Sequence, residues 1–139
     1  MVAFLRRALF RPLVALCLCL CLSLGLSACG TSGNGLSGNY VEDTVLTAQT
    51  LLTTIAQPQD APDRGESEAR AKALMNDWTS RYRPRGDLRN LPSFTTMQTA
   101  LNSLAGHYAN YANRPLPDAL RSRLEKELRK AETSVSRGA

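Results

Sequence analysis

From residue 39 onward, apolar positions recur at steps of three and four along four separate stretches. In the first, Asn39 to Gln57, the stripe is Val41, Val45, Ala48, Leu52 and Ile55, the spacing of one face of an amphipathic helix. Asn39 is placed to cap it, Glu42 and Asp43 stand in its first turn where the helix dipole favours anions, and Pro58 stops it. Its threonines and glutamines at 44, 47, 49, 50, 53 and 54 are weak helix formers, so packing must supply its stability. The second, Glu66 to Arg83, carries Ala71, Leu74, Trp78 and Tyr82, with Met75 beside Trp78; Glu66/Arg70 and Glu68/Lys72 are possible i,i+4 pairs. The third, Phe94 to Tyr111, has Phe94, Met97, Leu101, Leu104 and Tyr108, with Ser93 as a candidate cap. The fourth begins near Pro117 and runs through Leu120, Leu124, Leu128, Ala131 and Val135, with Arg121/Glu125 and Glu125/Arg129 on its outer face.

The three connections are Gln57–Gly65, rich in Pro and Gly, the arginine-bearing Arg83–Pro92, and Asn110–Pro117 with its two prolines. Links this short favour antiparallel neighbours. The predicted fold is therefore all-α, an up-down-up-down four-helix bundle, with a looser helical array as the alternative. No strand pattern and no internal repeat interrupts it.

A different pattern precedes residue 29. Arg6, Arg7 and Arg11 are followed by an apolar run from Leu13 to Leu26 and the small residues Ser27-Ala28, the three parts of a secretory signal. The run is about 14 residues, short of the roughly 20 a membrane-spanning helix needs, although an uncleaved amino-terminal anchor is the alternative. Leu26-Ser27-Ala28-Cys29 resembles the lipobox of bacterial lipoproteins, which implies cleavage before Cys29 and acylation of its thiol. The expected organisation is a lipoprotein signal peptide over 1–28, the lipidated Cys29 with a flexible Gly/Ser tether over 29–38, and the bundle over 39–137.

That division changes the composition. Cys17, Cys19 and Cys21 leave with the signal, so the four cysteines form neither a disulfide framework nor a metal site. The whole chain has 17 Lys+Arg against 12 Asp+Glu. Three of the arginines and none of the acids lie in the leader, which leaves a net charge of +2 (14 against 12). The basic pI is thus poor evidence for nucleic-acid binding, and none is expected. The remaining 111 residues (139 less 28) suit one domain with one core.

Candidate chemistry is sparse. His107 has no second His or carboxylate at helical spacing on its face, and no Glu-x-x-His, Walker, nucleophile-elbow or zincin motif occurs. Neither an enzyme, a metal site nor a cofactor is expected. What stands out instead is the end of the third helix. Gly106, costly inside a helix, suggests a close backbone approach or room for a partner. Beyond it, Tyr111 lies beside Asn113-Arg114-Pro115, and Tyr with Arg is enriched at interfaces. His107, Tyr111, Asn113, Arg114 and Pro115 form the candidate partner-binding edge, a packed corner being the alternative, with Cys29 as the expected lipid attachment point. The arginines of 81–89 are a second candidate surface, for an acidic partner, against a plain solvated loop with Leu88 and Leu91 tucked inward.

The stretch TMQTALNSLAGHYANYANRPLP (96–117), followed by Leu120 and Arg123-Leu124-Glu125, resembles one family, the small lumenal lipoprotein assembly factors of photosystem II, and LSGNYVEDT (36–44) is similar to that family's entry into its first helix. The resemblance implies a lipid-anchored, monomeric bundle on the lumenal side of the thylakoid membrane. It further implies transient docking on the lumenal domain of an inner chlorophyll-binding antenna subunit of immature photosystem II, in support of assembly of the manganese cluster. The alternatives are a manganese carrier and a structural envelope lipoprotein without a photosystem partner.

Overall fold

The computed structural model describes residues 35–111 and 114–138. The expected signal peptide, Cys29 and the expected tether as far as residue 34, together with Asn113, lie outside the described residues. Four helices follow one another: α1 (Tyr40–Ala56), α2 (Arg64–Tyr82), α3 (Pro92–Asn110) and α4 (Asp118–Ser136), with a single 3₁₀ turn at Gly86–Leu88 between α2 and α3. No strand occurs among the described residues. Packing is most extensive between α3 and α4 and between α1 and α4, substantial between α1 and α2, and slight between α2 and α3. The all-α four-helix bundle is the fold.

For α2, α3 and α4 the hydrophobic stripe is the buried face. Phe94, Met97, Leu101, Leu104 and Tyr108 of α3 are all buried, as are Ala71, Leu74, Met75, Trp78 and Tyr82 of α2 and Leu124, Leu128, Ala131 and Val135 of α4. Leu120 is partly buried against them. In α1 the stripe is rotated. Val41 is exposed and Leu52 only partly covered, whereas Asp43, Thr44, Thr47, Ala48, Leu51, Thr54 and Ile55 face the core.

The cause lies mainly on α2, whose Trp78 and Tyr82 bring polar atoms into the interior. Trp78 stacks on Phe94 with centroids 5.6 Å apart and lies 5.4 Å from Tyr82. Its indole Nε1 donates to Thr44 Oγ1 at 3.1 Å. The Tyr82 hydroxyl donates to Asp43, and the Tyr40 hydroxyl shares a 2.9 Å hydrogen bond with Ser93. Buried donors need acceptors, and α1 turns its polar residues inward to provide them. Thr47 and Thr54 satisfy themselves on the carbonyls of Asp43 and Thr50 at 2.7 and 2.8 Å.

The helix ends follow their chemistry with one correction. Asn39 caps α1, its Oδ1 accepting from the N–H of Val41 at 2.9 Å. Ser93, expected to cap α3, does not do so. Pro92 opens that helix, and Ser93 is fully buried one residue inside it, bonded to Tyr40. On α2, Glu68 pairs with Arg64 at 3.0 Å rather than with Lys72. Arg64 also donates to the carbonyls of Gln57 and Pro58 at 2.6 and 3.3 Å, which ties down the α1–α2 connection. The ion pair seen on α4 is Arg123–Glu127 at 3.0 Å.

The segment before α1 also departs from expectation. Composition predicts a tether through residues 36–38, but Leu36 is buried in the core. Behind it, the N–H groups of Ser37 and Gly38 and the Ser37 hydroxyl donate to the Asp43 carboxylate at 2.6, 3.0 and 3.0 Å. Gly38 has φ +92°, a backbone angle that calls for glycine, and a Cβ there would stand 3.1 Å from the movable end of the Arg81 side chain, Nη1. Composition misled here because a Gly/Ser segment is a free coil only if nothing receives its N–H groups.

Burial raises the Asp43 carboxyl pKa, but the hydrogen bonds from Tyr82, Ser37 and Gly38 outweigh it, so the group lies below the ordinary aspartate value. A carboxylate depressed in the folded state stabilises the fold fully above its unfolded pKa of about 3.9, and that contribution is lost as pH falls through the lower folded value. Urea denaturation is expected to show this acid-side loss in the native protein. Asp43→Ala should cost about 2–3 kcal/mol at neutral pH, because the Tyr82 hydroxyl is left buried without its acceptor, and should lack that acid-side component.

Candidate partner-docking site

The far end of the bundle, where α3 gives way to α4, holds the candidate edge. α3 ends because the chain meets Arg114-Pro115-Leu116-Pro117, and two prolines this close cannot continue a helix. Leu116 anchors this connection by inserting into the core, while Pro115 and Pro117 remain at the surface. His107, in the last turn of α3, is buried and reaches across to the connection. Its Nε2 lies 3.2 Å from the Arg114 carbonyl oxygen. A carbonyl only accepts, so Nε2 carries the proton in this contact. His107 is thus a structural hydrogen-bonder that shapes the edge from beneath.

Tyr111 and Arg114 make the exposed part. Tyr111 is 51% exposed; its ring lies 5.7 Å from that of His107, and the Arg114 guanidinium carbon is 5.7 Å from its centroid, within the range of a cation–π contact. The other three tyrosines are buried or partly buried. Tyr82 is fully buried, Tyr108 nearly so, and Tyr40 packs partly buried against the core. Burial and the neighbouring Glu68 push the Tyr108 hydroxyl up to about 12, so it stays neutral, while Lys72 Nζ sits 4.6 Å over its ring.

Tyr111, Arg114, Pro115 and Pro117 rim a groove of about 530 Å³ whose floor is Gly106 and His107, with Leu120 of α4 on one wall. The structure thus brings four of the five candidate edge residues together, the fifth being Asn113. A Cβ on Gly106 would meet nothing within 4 Å, so this glycine marks open space rather than a close helix approach. Of the polar groups on the wall, Ser103 Oγ donates to the Thr99 carbonyl at 2.9 Å and Asn110 Nδ2 to the Gly106 carbonyl at 2.8 Å. The groove therefore offers an aromatic face, a guanidinium and apolar walls, the composition of a protein-binding hot spot. Among the described residues no group of three or more His, Cys, Asp or Glu is arranged to hold a metal ion, and no helix is long and apolar enough to cross a membrane.

Sequence reasoning found the groove through Gly106 and Tyr111 but missed Ser103 and Leu120 on its walls. It also missed the Ser37–Gly38–Asp43–Tyr82 cluster at the other end. Leu120 carried a signal only as one more member of the α4 stripe.

Fold and groove together define a class: small four-helix bundles that present a rimmed surface groove at one end. The chain belongs to the Photosystem II Pbs27 family, whose model matches residues 8–135. It is 50% identical over 137 residues to the Photosystem II lipoprotein Psb27 of Synechocystis sp., covering 99% of each chain. To the Photosystem II assembly factor lipoprotein Psb27 of Thermosynechococcus vestitus it is 46% identical over 114 residues, 82% of this chain and 85% of that one. The Photosystem II repair protein PSB27-H1 of Arabidopsis thaliana is 27% identical over 100 residues, 71% of this chain and 58% of that protein. The fold is similar to the solution structure of Psb27 from cyanobacterial photosystem II (TM-score 0.73, 50% identity, 83% of this chain and 99% of that one). It is also similar to the crystal structure of PSB27 from Arabidopsis thaliana (TM-score 0.70, 27% identity, 72% and 98%).

The open space at Gly106 has a measurable consequence. Replacing a helical glycine whose Cβ would meet nothing removes an entropic cost of about 1 kcal/mol. Gly106→Ala is therefore expected to raise the unfolding midpoint in urea without changing the helical circular-dichroism spectrum.

Proposed function

We propose that this chain acts in the assembly and repair of photosystem II. In this reading it is a non-catalytic docking factor anchored through an acylated Cys29 on the lumenal side of the thylakoid membrane. It binds immature photosystem II transiently, at the lumenal domain of an inner chlorophyll-binding antenna subunit, and supports assembly of the manganese cluster before it is released. Membership of the family carries the reading, and the names of its relatives as a photosystem II assembly factor and a repair protein support it. The groove at the α3–α4 end supports docking as the mode of action, because its exposed Tyr111 and Arg114 are presented by an edge that Leu116 and His107 already hold in place. Such preorganisation lowers the entropy lost on association.

The chemistry of the rim selects its partner. A guanidinium beside an exposed aromatic ring pairs well with a carboxylate next to an apolar side chain. Arg114→Ala should remove about 1–2 kcal/mol of affinity, lowering recovery of immature photosystem II with the tagged protein roughly five- to thirtyfold. Gly106→Leu fills the groove floor and should lower recovery similarly while leaving the bundle folded. Unchanged recovery with both variants would remove the groove from the docking surface. Absence of photosystem II subunits from the wild-type pull-down would remove the functional reading itself.

A further inference from the structure

The two ends of the bundle differ in charge. At the end formed by the start of α1, the α2–α3 connection and the end of α4 stand five arginines, Arg81, Arg83, Arg85, Arg89 and Arg137, against the three carboxylates Glu42, Asp43 and Asp87. At the groove end Asp60, Asp63, Glu66 and Asp118 outnumber the arginines Arg64, Arg114 and Arg121. The net charge of the whole bundle conceals this asymmetry.

The arginine end is also well ordered. Arg81 lies against Gly38, and Asp43 is buried under the N–H groups of Ser37 and Gly38. Asp87 is paired with Arg85 at 2.7 Å, and Glu42 accepts from the Ser37 hydroxyl at 3.0 Å. Between α2 and α3 the chain is held by successive turns, Arg85 N–H to the Tyr82 carbonyl at 3.1 Å and Leu91 N–H to the Leu88 carbonyl at 3.0 Å. Leu88 is buried beneath them. With Leu88 turned inward, Arg83, Arg85 and Arg89 are exposed, as is Arg137 at the end of α4.

Where the chain enters the fold adds the second constraint. Leu36 is fixed in the core and the Asp43 carboxylate pins Ser37 and Gly38, so the chain enters at the arginine end. Cys29 precedes Leu36 by seven residues, which at full extension span at most about 25 Å. An acyl chain on Cys29 therefore holds this end within about 25 Å of the lipid but does not by itself fix which way the bundle points.

We infer that the pole bearing Arg83, Arg85, Arg89 and Arg137 rests on an anionic lipid surface, a second membrane contact beside the acyl anchor. This rests on the anchor at Cys29 proposed above. A cationic patch held beside a membrane by a lipid chain is the pairing that makes single-chain anchoring stable, and each basic residue near an anionic surface strengthens binding about fivefold. The contact turns the bundle upright, with the groove facing away from the bilayer.

The acylated protein, reconstituted on vesicles, tests this with a fluorophore at Asn90→Cys (arginine end) or Ala109→Cys (groove end) and a quencher on the lipid headgroups. On an equal mixture of phosphatidylcholine and phosphatidylglycerol, the label at 90 is expected to be quenched several-fold more than the label at 109. High salt should erase the difference, and Arg83→Gln with Arg89→Gln should shift the upright population at least about tenfold toward free orientation. Equal quenching at the two positions, or a difference that survives both salt and the double variant, overturns the inference. So does a double variant that keeps the quenching pattern but loses photosystem II in a pull-down, which assigns the arginines to an acidic protein. Failure to sediment with pure phosphatidylcholine vesicles is a failure of the acyl anchor instead. The arginine pole then still requires salt-sensitive sedimentation with the mixed vesicles, and its absence overturns the inference.

Discussion

The Asp43 carboxylate is the interaction on which the arrangement of the amino-terminal end depends. A charge taken from water is costly unless hydrogen bonds replace its hydration. Here the replacements come from two places in the chain: the N–H groups of Ser37 and Gly38 with the Ser37 hydroxyl, and the Tyr82 hydroxyl at the end of α2. One side chain thus joins the entering chain, the first turn of α1 and the last turn of α2. Tyr82 in turn packs on Trp78, which stacks on Phe94 of α3, so the polar cluster and the aromatic core are mechanically one unit.

That coupling explains which parts of the fold were legible in the sequence. The buried face of α3 was legible because its packing there asks mostly for apolar area, and the stripe from Phe94 to Tyr108 is the buried face. α1 was legible as a helix, from its Asn39 cap and Pro58, but not in its orientation. Periodicity assumes that apolar side chains turn inward, and that assumption fails where a neighbour brings indole and phenol donors into the core. Ala48 and Ile55 lie on both the expected and the observed face, while Thr44 and Asp43 displace Val41 because Trp78 and Tyr82 need acceptors. Ser93 failed as a cap for the same reason, being taken by Tyr40. Each miss is a long-range polar pairing, and such pairings leave no periodic trace.

The groove edge at the α3–α4 end was legible for a different reason. Gly106 and the Arg114–Pro117 connection are locally anomalous, a glycine inside a helix and two prolines close after it, and local anomalies can be seen without knowing the fold. What the sequence left open was the meaning of each. Gly106 proved to mark empty space rather than a crossing helix, and His107 to support the edge rather than stand on it. Of the four tyrosines, burial selects Tyr111 as the one that a partner can reach.

The two ends of the bundle together give the protein a direction. α3 is 19 residues long and separates them by about 28 Å at 1.5 Å per residue. A loosely tethered body would present its groove in every orientation, and most encounters with a membrane-embedded partner would be unproductive. In the orientation inferred above, a chain entry pinned by Asp43 and a cationic end turned toward the lipid would restrict those orientations before the partner arrives. The orientational part of the entropy cost is then met in advance, much as the prolines around Leu116 meet the local part within the groove. Release stays easy, because the preorganisation resides in the free protein and not in contacts that must be broken. A factor with these properties associates readily and departs readily, which is the behaviour a transient assembly role requires.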